Sequence, residues 1–327
     1  MRQHTALDSA LIRLGVVAAR GGRERALAVL TFHRVLPQKD PLLPSEPDAA
    51  DFSAVVDLLS THFNVLGLSD AVSRLKKRQL PPRAVCITLD DGYANNLSVA
   101  LPILAARGVP ATVFVATGFL DGGRMFNDTI IEAVRRTSAE FDLTDLGLGS
   151  YLITDDSARI RVVDELIRKL KHRDPAVRAA SADAIAARVG LPADTGTMMT
   201  REQVRQLHHA GIAIGAHTIT HPILTKLDDK DAQREIETGR QELEAIVGSP
   251  ITLFAFPNGK PGGDYDRRHV DMVAAAGFEA AFSTAWGTAD SGGDLMQLPR
   301  IAPWGKTPLR YALQIAASYR DRAYQRA

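Results

Sequence analysis

Two adjacent carboxylates stand together in the chain between an apolar run and a glycine. Asp90 and Asp91 lie in the stretch "ITLDDGYANN" (87–96), directly before Gly92. Like charges this close disfavour each other's ionisation, so the pair needs a group that neutralises it. A divalent cation would do this by holding one carboxylate as a ligand, which leaves the other free to act as a base. The alternative is an Asx-type turn that leads into a helix.

Two histidines supply further ligands of the kind that such a cation needs. His217 and His221 lie four residues apart in "HTITHP" (217–222), so one helical turn or tight loop can aim both imidazoles at one point. Two histidines and a carboxylate form a common site for zinc and other first-row divalent metals. The histidine spacing alone is a weak signal, but the carboxylate pair strengthens it. We therefore predict a divalent metal site, with Zn²⁺ as first choice and Co²⁺ or Ni²⁺ as alternatives.

Short apolar runs alternate with helical patterns along the chain, and the chemically interesting residues follow the runs. The runs that read as strands are 26–35, 63–68, 81–92, 109–118, 212–217, 250–257, 278–283 and 298–303. Strands that are apolar throughout and separated by helices indicate an α/β fold with a parallel sheet. In a barrel, the carboxyl ends of such strands meet at one mouth, where active sites form. This arrangement brings together His33, Asp90, Asp91, His217 and Asn258.

The alternation of strands and helices stops in the middle of the chain, where the sequence is rich in charged residues and has helical spacing of its apolar residues. There we predict a helical insertion, in which "SYLIT" (150–154) is the one strand-like run. The predicted units are an N-terminal helix (1–25), the first part of a barrel (26–124), the insertion (125–196), the second part of the barrel (197–305) and a C-terminal helix (306–327).

Composition narrows the classes of protein that the chain can represent. It has 327 residues, with 39 basic and 38 acidic side chains, so a formal net charge of +1 gives no argument for a nucleic-acid partner. Cys86 is the single cysteine, which excludes an intrachain disulfide and fits a reducing compartment. No apolar run reaches the roughly 18 residues of a spanning helix. The N-terminal stretch predicts an amphipathic helix, either packed on the domain or in peripheral contact with a membrane. We expect a cytoplasmic location, with the inner membrane face as one possible place.

Four stretches carry a resemblance to a known family. "ITLDDGYANN" resembles the T-F-D-D-G motif of polysaccharide deacetylases, the NodB homology domain or carbohydrate esterase family 4. "HTITH" is similar to the second motif of that family, and "FAFPNG" (254–259) to the third. "LTFHRV" (30–35) resembles a branch that includes poly-N-acetylglucosamine deacetylases. The resemblance covers about residues 28–120 and 197–303.

The resemblance implies a fold, an activity and roles for particular residues. The fold would be a distorted (β/α) barrel of about seven strands, with the helical insertion outside the shared core. The activity would be metal-assisted hydrolysis of acetyl groups from N-acetylated sugars. Asp90 would be the general base, and Asp91, His217 and His221 would hold the metal. A backbone N–H near Asn258 would help to bind the oxyanion.

The chain departs from the family's pattern at two points. The third motif usually carries an arginine that orients the base, and here the candidate replacement is Arg300 in "LPRI" (298–301). The alternative is a surface or salt-bridged arginine. The last motif usually carries a histidine as general acid, and none is present there. In the branch with the early histidine motif that residue takes the acid's place, which makes His33 the candidate; the alternative is a hydrogen-bonded histidine at the barrel mouth.

Candidate substrate contacts are Tyr93, Pro257 and Trp286, although packing is an equal alternative for the tryptophan. Three functions stay open. The first is a carbohydrate N-deacetylase acting on a polysaccharide, an oligosaccharide or a lipid-linked glycan. The second is a hydrolase of another small amide on the same fold, and the third is a carbohydrate-binding barrel with weakened catalysis. A narrow apolar mouth built by the insertion would favour a small substrate, whereas a long open groove would favour a polymer.

Overall fold

The computed structural model describes residues 26–193, 196–305, 307–319 and 324–327. The predicted N-terminal helix and its membrane contact lie outside these residues. The strands are β1 (Leu27–Phe32), β2 (Asn64–Val65), β3 (Ala84–Leu89), β4 (Thr112–Val115), β5 (Glu140–Leu143), β6 (Gly149–Leu152), β7 (Ala213–Ala216), β8 (Leu253–Ala255) and β9 (Ala280–Phe282).

Seven of these strands form one parallel sheet. Its order is β1-β3-β4-β7-β8-β9, and β2 pairs with the start of β3. Every residue of β3, β4, β8 and β9 is buried, as expected for strands covered on both faces. The apolar runs of the sequence therefore form the strands of the inner sheet, and polar residues follow the end of each strand.

The ring is closed by a short segment between β9 and β1. The Ser283 N–H donates to the Leu298 carbonyl at 2.8 Å, and the Thr31 N–H donates to the Ile301 carbonyl at 3.0 Å. In return, the Ile301 N–H donates to Val29 at 2.8 Å. This segment corresponds to "LPRIAP", which was predicted as a last short strand; it pairs with β9 and β1 through isolated bridges at Leu298 and Ile301. The predicted α/β fold, a distorted (β/α) barrel of about seven strands, is confirmed.

Helices pack around the sheet and within the insertion. They are α1 (Ala49–His62), α2 (Leu68–Lys76), α3 (Leu101–Ala105), α4 (Phe126–Arg136), α5 (Asp156–Lys171), α6 (Pro175–Arg188), α7 (Arg201–His209), α8 (Asp229–Val247), α9 (Arg267–Ala275) and α10 (Pro308–Ser318). α7 begins with a capping box between Thr200 and Gln203, and α8 ends at Gly248 in the left-handed conformation. None of the described helices combines the length and the apolar character needed to cross a bilayer.

The insertion contains a β-hairpin as well as the helices α4, α5 and α6. In the hairpin, β5 pairs antiparallel with β6, and Glu140 lies opposite Leu152. The run "SYLIT" overlaps β6, but β5 was missed by the sequence analysis. The insertion has its own apolar cluster, which includes Leu143, Leu166 and Ile185. It is thus a second small core set against the barrel; the boundaries given for the units stay predictions.

Candidate active site

The structure brings the predicted polar residues to one end of the barrel. His33 directly follows β1, Asp90 and Asp91 follow β3, His217 follows β7, and Asn258 lies three residues beyond β8. They all line one cavity of about 600 Å³, together with His221 and Arg300. This convergence follows from the parallel topology, because the carboxyl ends of neighbouring strands share one edge.

Three side chains in this cavity aim their donor atoms at a common point. Nε2 of His217 and Nε2 of His221 each lie 3.5 Å from Oδ1 of Asp91. The donor atoms of the three residues are all within 4.8 Å of one another. His217 Nδ1 lies 2.7 Å from the Ala255 carbonyl. Since a carbonyl only accepts, Nδ1 carries the proton and Nε2 presents its lone pair to the carboxylate.

The chemistry of this group fits a bound divalent cation. Oδ1 of Asp91 is buried and has no hydrogen-bond partner among the described residues. Ligand atoms about 2.0–2.1 Å from a tetrahedral zinc ion stand about 3.4 Å apart, which is close to the spacing seen here. Burial lowers the pKa of His221 to about 4, so this imidazole is neutral near pH 7, as a metal ligand must be.

Strained backbone positions cluster at this site. Asp91, Thr218, His221 and Asn258 all have positive φ angles, of 77°, 65°, 51° and 57°. Non-glycine residues rarely adopt this left-handed conformation, and a β-branched threonine does so at a larger cost. Such strain persists only where surrounding contacts determine the backbone. Contacts with residues outside the loop that carries both histidines must therefore keep its backbone in this conformation.

Glu235 of α8 holds the histidine loop, and sequence analysis missed it. Its buried carboxylate accepts hydrogen bonds from the N–H groups of Ile219 and Thr220, both at 2.8 Å, and from the Thr220 hydroxyl at 2.7 Å. Gly239 lets the helix approach the loop, because a Cβ there would lie 2.9 Å from the carbonyl carbon of Thr218. No sequence signal marks Glu235, which is one of several glutamates on a charged helix.

The base candidate, Asp90, is paired with Arg300. Arg300 Nη1 donates to Asp90 Oδ1 at 2.7 Å, and both side chains are almost fully buried. Arg300 Nε donates to the Ser283 carbonyl at 3.1 Å, which fixes the direction of the guanidinium. Burial opposes ionisation of Asp90, but the Arg300 charge outweighs it and holds the pKa of this carboxyl below its ordinary value. Asp90 is therefore ionised across the neutral range.

His33 faces the cavity beside the two aspartates. Its carbonyl accepts a hydrogen bond from Asn96 Nδ2 at 2.9 Å, which anchors the backbone there. Enclosure in the cavity opposes the charged imidazolium, but the negative charges of Asp91, Asp90 and Glu46 outweigh this effect. The pKa of His33 is consequently raised above its ordinary value. The imidazole thus favours the form that can donate a proton.

Tyr93 lines the cavity as part of a buried network that reaches the insertion. Its hydroxyl donates to Asp128 Oδ2 at 3.1 Å, and Arg34 Nη1 lies 3.2 Å from Oδ1 of the same carboxylate. The Arg34 guanidinium also lies 4.7 Å from the centre of the Tyr93 ring. Burial, with the charge of Asp91 adding to it, raises the pKa of Asp128 to about 7 despite the opposing charge of Arg34. Tyr93 therefore forms a fixed part of the cavity wall, because its hydroxyl is already bonded to Asp128.

Two predicted substrate contacts lie away from the cavity lining. Pro257 is buried, and its carbonyl accepts from the Gly259 N–H at 2.6 Å. Trp286 packs beside Trp304, with ring centres 5.2 Å apart, and Trp304 is 71% exposed. Neither Pro257 nor Trp286 is among the described residues that line the cavity.

Comparison with known families identifies the class of protein. The sequence model of the family described as polysaccharide deacetylase matches residues 77–142 and 155–281, more than half of the chain. The chain therefore belongs to the polysaccharide deacetylase family. This confirms the resemblance to the family and, with it, the predicted enzyme class, carbohydrate N-deacetylase; the branch suggested by "LTFHRV" stays a prediction. Comparison with curated protein sequences gives no match.

Solved structures share the fold at low sequence identity. The deacetylase PplD from Streptococcus pyogenes, solved with acetate, has a TM-score of 0.60 and 16% identity, over 89% of this chain and 98% of that chain. IcaB from Ammonifex degensii has a TM-score of 0.57 and 19% identity, over 90% and 97%. A de-N-acetylase from Aggregatibacter actinomycetemcomitans has a TM-score of 0.54 and 16% identity, over 84% and 94%.

Proposed function

We propose that the chain is a divalent-metal-dependent hydrolase that removes N-acetyl groups from a glycan containing N-acetylhexosamine. The substrate would be a polysaccharide, an oligosaccharide or a lipid-linked glycan. One observation carries the proposal: a carboxylate–histidine–histidine group with an unpaired buried oxygen lies beside a second carboxylate that is held ionised by Arg300. The site thus combines a ligand set with a separate base, as hydrolysis of an amide requires.

Asp91, His217 and His221 would hold the cation, with Zn²⁺ as first choice and Co²⁺ or Ni²⁺ as alternatives. When bound, a divalent cation supplies Lewis-acid polarisation of the acetamide carbonyl and makes the attacking water more acidic. The three residues would also fix its place in the cavity, and the Nδ1–H of His217 bonded to Ala255 keeps that ring in the ligating tautomer.

Asp90 accepts the proton of the attacking water. The Arg300 guanidinium keeps the carboxylate ionised and oriented, because Nη1 bonds to Oδ1 while Nε is fixed on Ser283. A general base of this kind contributes roughly 10²–10⁴ in rate. The backbone N–H of Asn258 donates to the oxygen that gains negative charge as the carbonyl carbon becomes tetrahedral.

His33 donates a proton to the departing amine nitrogen. The nearby charges of Asp91 and Asp90 raise its pKa, and it lines the same cavity as Asp90. The C–N bond breaks as the nitrogen is protonated. The products are acetate and a free amino sugar. Acetate is also the ligand named in the PplD structure.

The alternative of a binding barrel without catalysis rested on two absences, the third-motif arginine and the histidine of the last motif. The Arg300–Asp90 pair supports catalysis over that alternative, since an arginine contacts the base from another part of the chain. A binding barrel would have no need to keep a buried carboxylate ionised at a cost in desolvation.

The proposal is tested by acetate release from N-acetylglucosamine oligomers and from a lipid-linked N-acetylglucosamine. Metal-stripped protein is assayed alone and after addition of Zn²⁺, Co²⁺ or Ni²⁺. We expect release that depends on the added metal and that is lost in Asp90→Asn. Metal binding without acetate release from either substrate would instead support the binding barrel.

A further inference from the structure

The cavity continues beyond the catalytic groups to a wall built by the insertion. Most of the side chains that line this wall are apolar. Its apolar members are Met125, Phe126, Ile131, Ile167, Pro175, Ala176 and Ala179, and Leu43 of the first part of the barrel lines the cavity with them. Neutral sugars in a polymer present many hydroxyl groups, which gain little from such a surface. The wall also bounds the cavity to about 600 Å³, within the range of about 300–1,000 Å³ typical of small-ligand sites.

Two cationic side chains lie in this apolar half. Lys171 ends α5, and Arg178 lies in the first turn of α6; both line the cavity. Arg178 is 9% exposed, its guanidinium lies 4.8 Å from the centre of the Phe126 ring, and its Nη1 donates to the Lys171 carbonyl at 3.3 Å. Within the described part of the chain, neither cation forms an ion pair. The stacked guanidinium keeps the rest of its N–H edge available for an anion.

The acidic groups near these cations have other partners. Asp174 caps α6 by accepting from the Ala176 N–H at 2.9 Å. Across the cavity, Asp128 is paired with Arg34, and Glu46 accepts from the Arg34 N–H at 3.3 Å. Lys171 and Arg178 therefore line the cavity among apolar side chains of α5 and α6, whereas the acidic side chain of α4 that lines it, Asp128, is paired with Arg34. Asp174 does not line the cavity, although its charge acts on Arg178.

We propose that the insertion half binds a phosphate group together with the apolar chain that this phosphate carries. The substrate is then a short N-acetylated glycan joined through phosphate to an apolar alcohol, and not the interior of a neutral polymer. Lys171 and Arg178 bind the phosphate oxygens, and the apolar wall takes the first part of the chain. The inference rests on the proposed function, which supplies the reaction at the other end of the cavity.

Four probes separate the contributions of the two groups. They are the diphosphate ester of N-acetylglucosamine with a short prenyl alcohol, N-acetylglucosamine 1-phosphate, an alkyl glycoside of N-acetylglucosamine, and a neutral N-acetylchito-oligosaccharide. Acetate release is measured with metal-loaded protein. We expect the highest kcat/KM for the prenyl diphosphate ester, which carries both groups, and the lowest for the oligosaccharide, which carries neither. A uronate-bearing oligosaccharide serves as a fifth probe, and its preference over the prenyl ester would overturn the proposal.

Charge-removing variants locate the phosphate. Lys171→Gln and Arg178→Gln should each raise KM for the prenyl diphosphate ester about tenfold, because each removes a charge-assisted hydrogen bond. The KM for the neutral alkyl glycoside, which has no phosphate, should rise much less. Arg168→Gln is the matched control, since this arginine lies on the exposed side of α5 and does not line the cavity. Equal effects of Lys171→Gln and Arg168→Gln, or equal losses with the neutral glycoside, would overturn the assignment.

A binding measurement keeps this inference separate from the proposed function. Calorimetry of the Asp90→Asn protein with the prenyl diphosphate ester reports binding without turnover. Binding that is weakened about tenfold in Asp90→Asn/Lys171→Gln supports the inference even if no probe releases acetate, an outcome that would refute the proposed function alone. Absence of binding in Asp90→Asn, with a thermal transition like that of the parent protein, refutes the inference.

Discussion

Arg300 donates a 2.7 Å hydrogen bond to Asp90 across 210 positions of the chain. Both side chains are buried where the closing segment meets β1 and β9, so each is left without a counter-charge if the other is removed. The positive charge of Arg300 explains why the Asp90 carboxylate stays ionised although it is buried.

Replacing Arg300 by methionine should move the acid limb of the pH profile of kcat/KM to higher pH. Without the guanidinium, burial is no longer outweighed and the pKa of Asp90 rises, so the base is ionised only at higher pH. Loss of orientation should also lower kcat roughly hundredfold. Arg310→Met, at an exposed position on α10, is the control. An unchanged acid limb in Arg300→Met would remove Asp90 from the role of base.

Removing a ligand should abolish metal binding and activity together. Asp91→Ala and His217→Ala should contain no metal after dialysis, whereas Asp90→Asn should retain it and lose about 10²–10⁴ in kcat. Added Zn²⁺ should raise the melting temperature of the parent and of Asp90→Asn, because ligand binding stabilises the folded state. Metal content is measured by inductively coupled plasma emission spectroscopy. Full metal retention in Asp91→Ala would contradict the ligand assignment.

Substituting His33 by glutamine should lower kcat by about 10²–10⁴ and leave metal content unchanged. His33 acts in its protonated form, so the activity of the parent enzyme should fall as pH rises through the pKa of this imidazole. In the variant this basic limb should disappear. His209→Gln, at an exposed position at the end of α7, controls for loss of a histidine. A basic limb that persists in His33→Gln would place the acid elsewhere.

Truncating Glu235 to alanine should weaken metal binding about 10–100-fold, although this residue is no ligand. Three hydrogen bonds to the loop of residues 219–220 are lost, and the strained backbone of Thr218 and His221 can relax. Glu237→Ala, two residues along the same helix, should have no effect on affinity. Competition titration with a chelator measures both. Equal affinities for the two variants would show that the loop holds its shape without Glu235.

Changing Asp128 to asparagine should flatten the dependence of stability on pH. Its pKa is raised from 3.8 to about 7 in the folded state, so the folded chain binds this proton more tightly than the unfolded chain. The stability contributed by this group is present below about pH 4 and is lost as pH rises to about 7, by at most about 4 kcal/mol. Urea unfolding of metal-stripped protein at pH 5 and pH 8 measures the difference. Asp164→Asn, exposed on α5, should keep the parent's dependence.

Much of the barrel could be predicted because its strands are buried on both faces. Runs such as "AVCITL" (84–89) and "TVFV" (112–115) are apolar at nearly every position. The first is followed directly by Asp90 and Asp91, which line the cavity. Parallel pairing then requires no detailed geometry to bring the strand ends together. The convergence of Asp91, His217 and His221 follows from this topology and from the four-residue spacing of the histidines.

The parts that escaped prediction depend on contacts between distant segments. β5 is a four-residue strand whose alternate residues are exposed. It lies in a charged segment with mainly helical sequence patterns, where four alternating residues are too few to indicate a strand. Glu235 resembles the other glutamates of α8 until the loop is placed against it. Nothing in "LPRI" distinguishes a surface arginine from the partner of Asp90. The side chain reaches Asp90 only because this segment packs between β9 and β1 and closes the barrel.

That closure also affects how the protein becomes an enzyme during synthesis. Asp90 leaves the ribosome 210 residues before Arg300, which at about 5–20 residues per second is a delay of roughly 10–40 s. During this interval the nascent barrel has an open edge at β1, and its future base has no counter-charge. The newly made chain should therefore gain activity late and abruptly, when the closing segment docks and completes the sheet and the ion pair in one event.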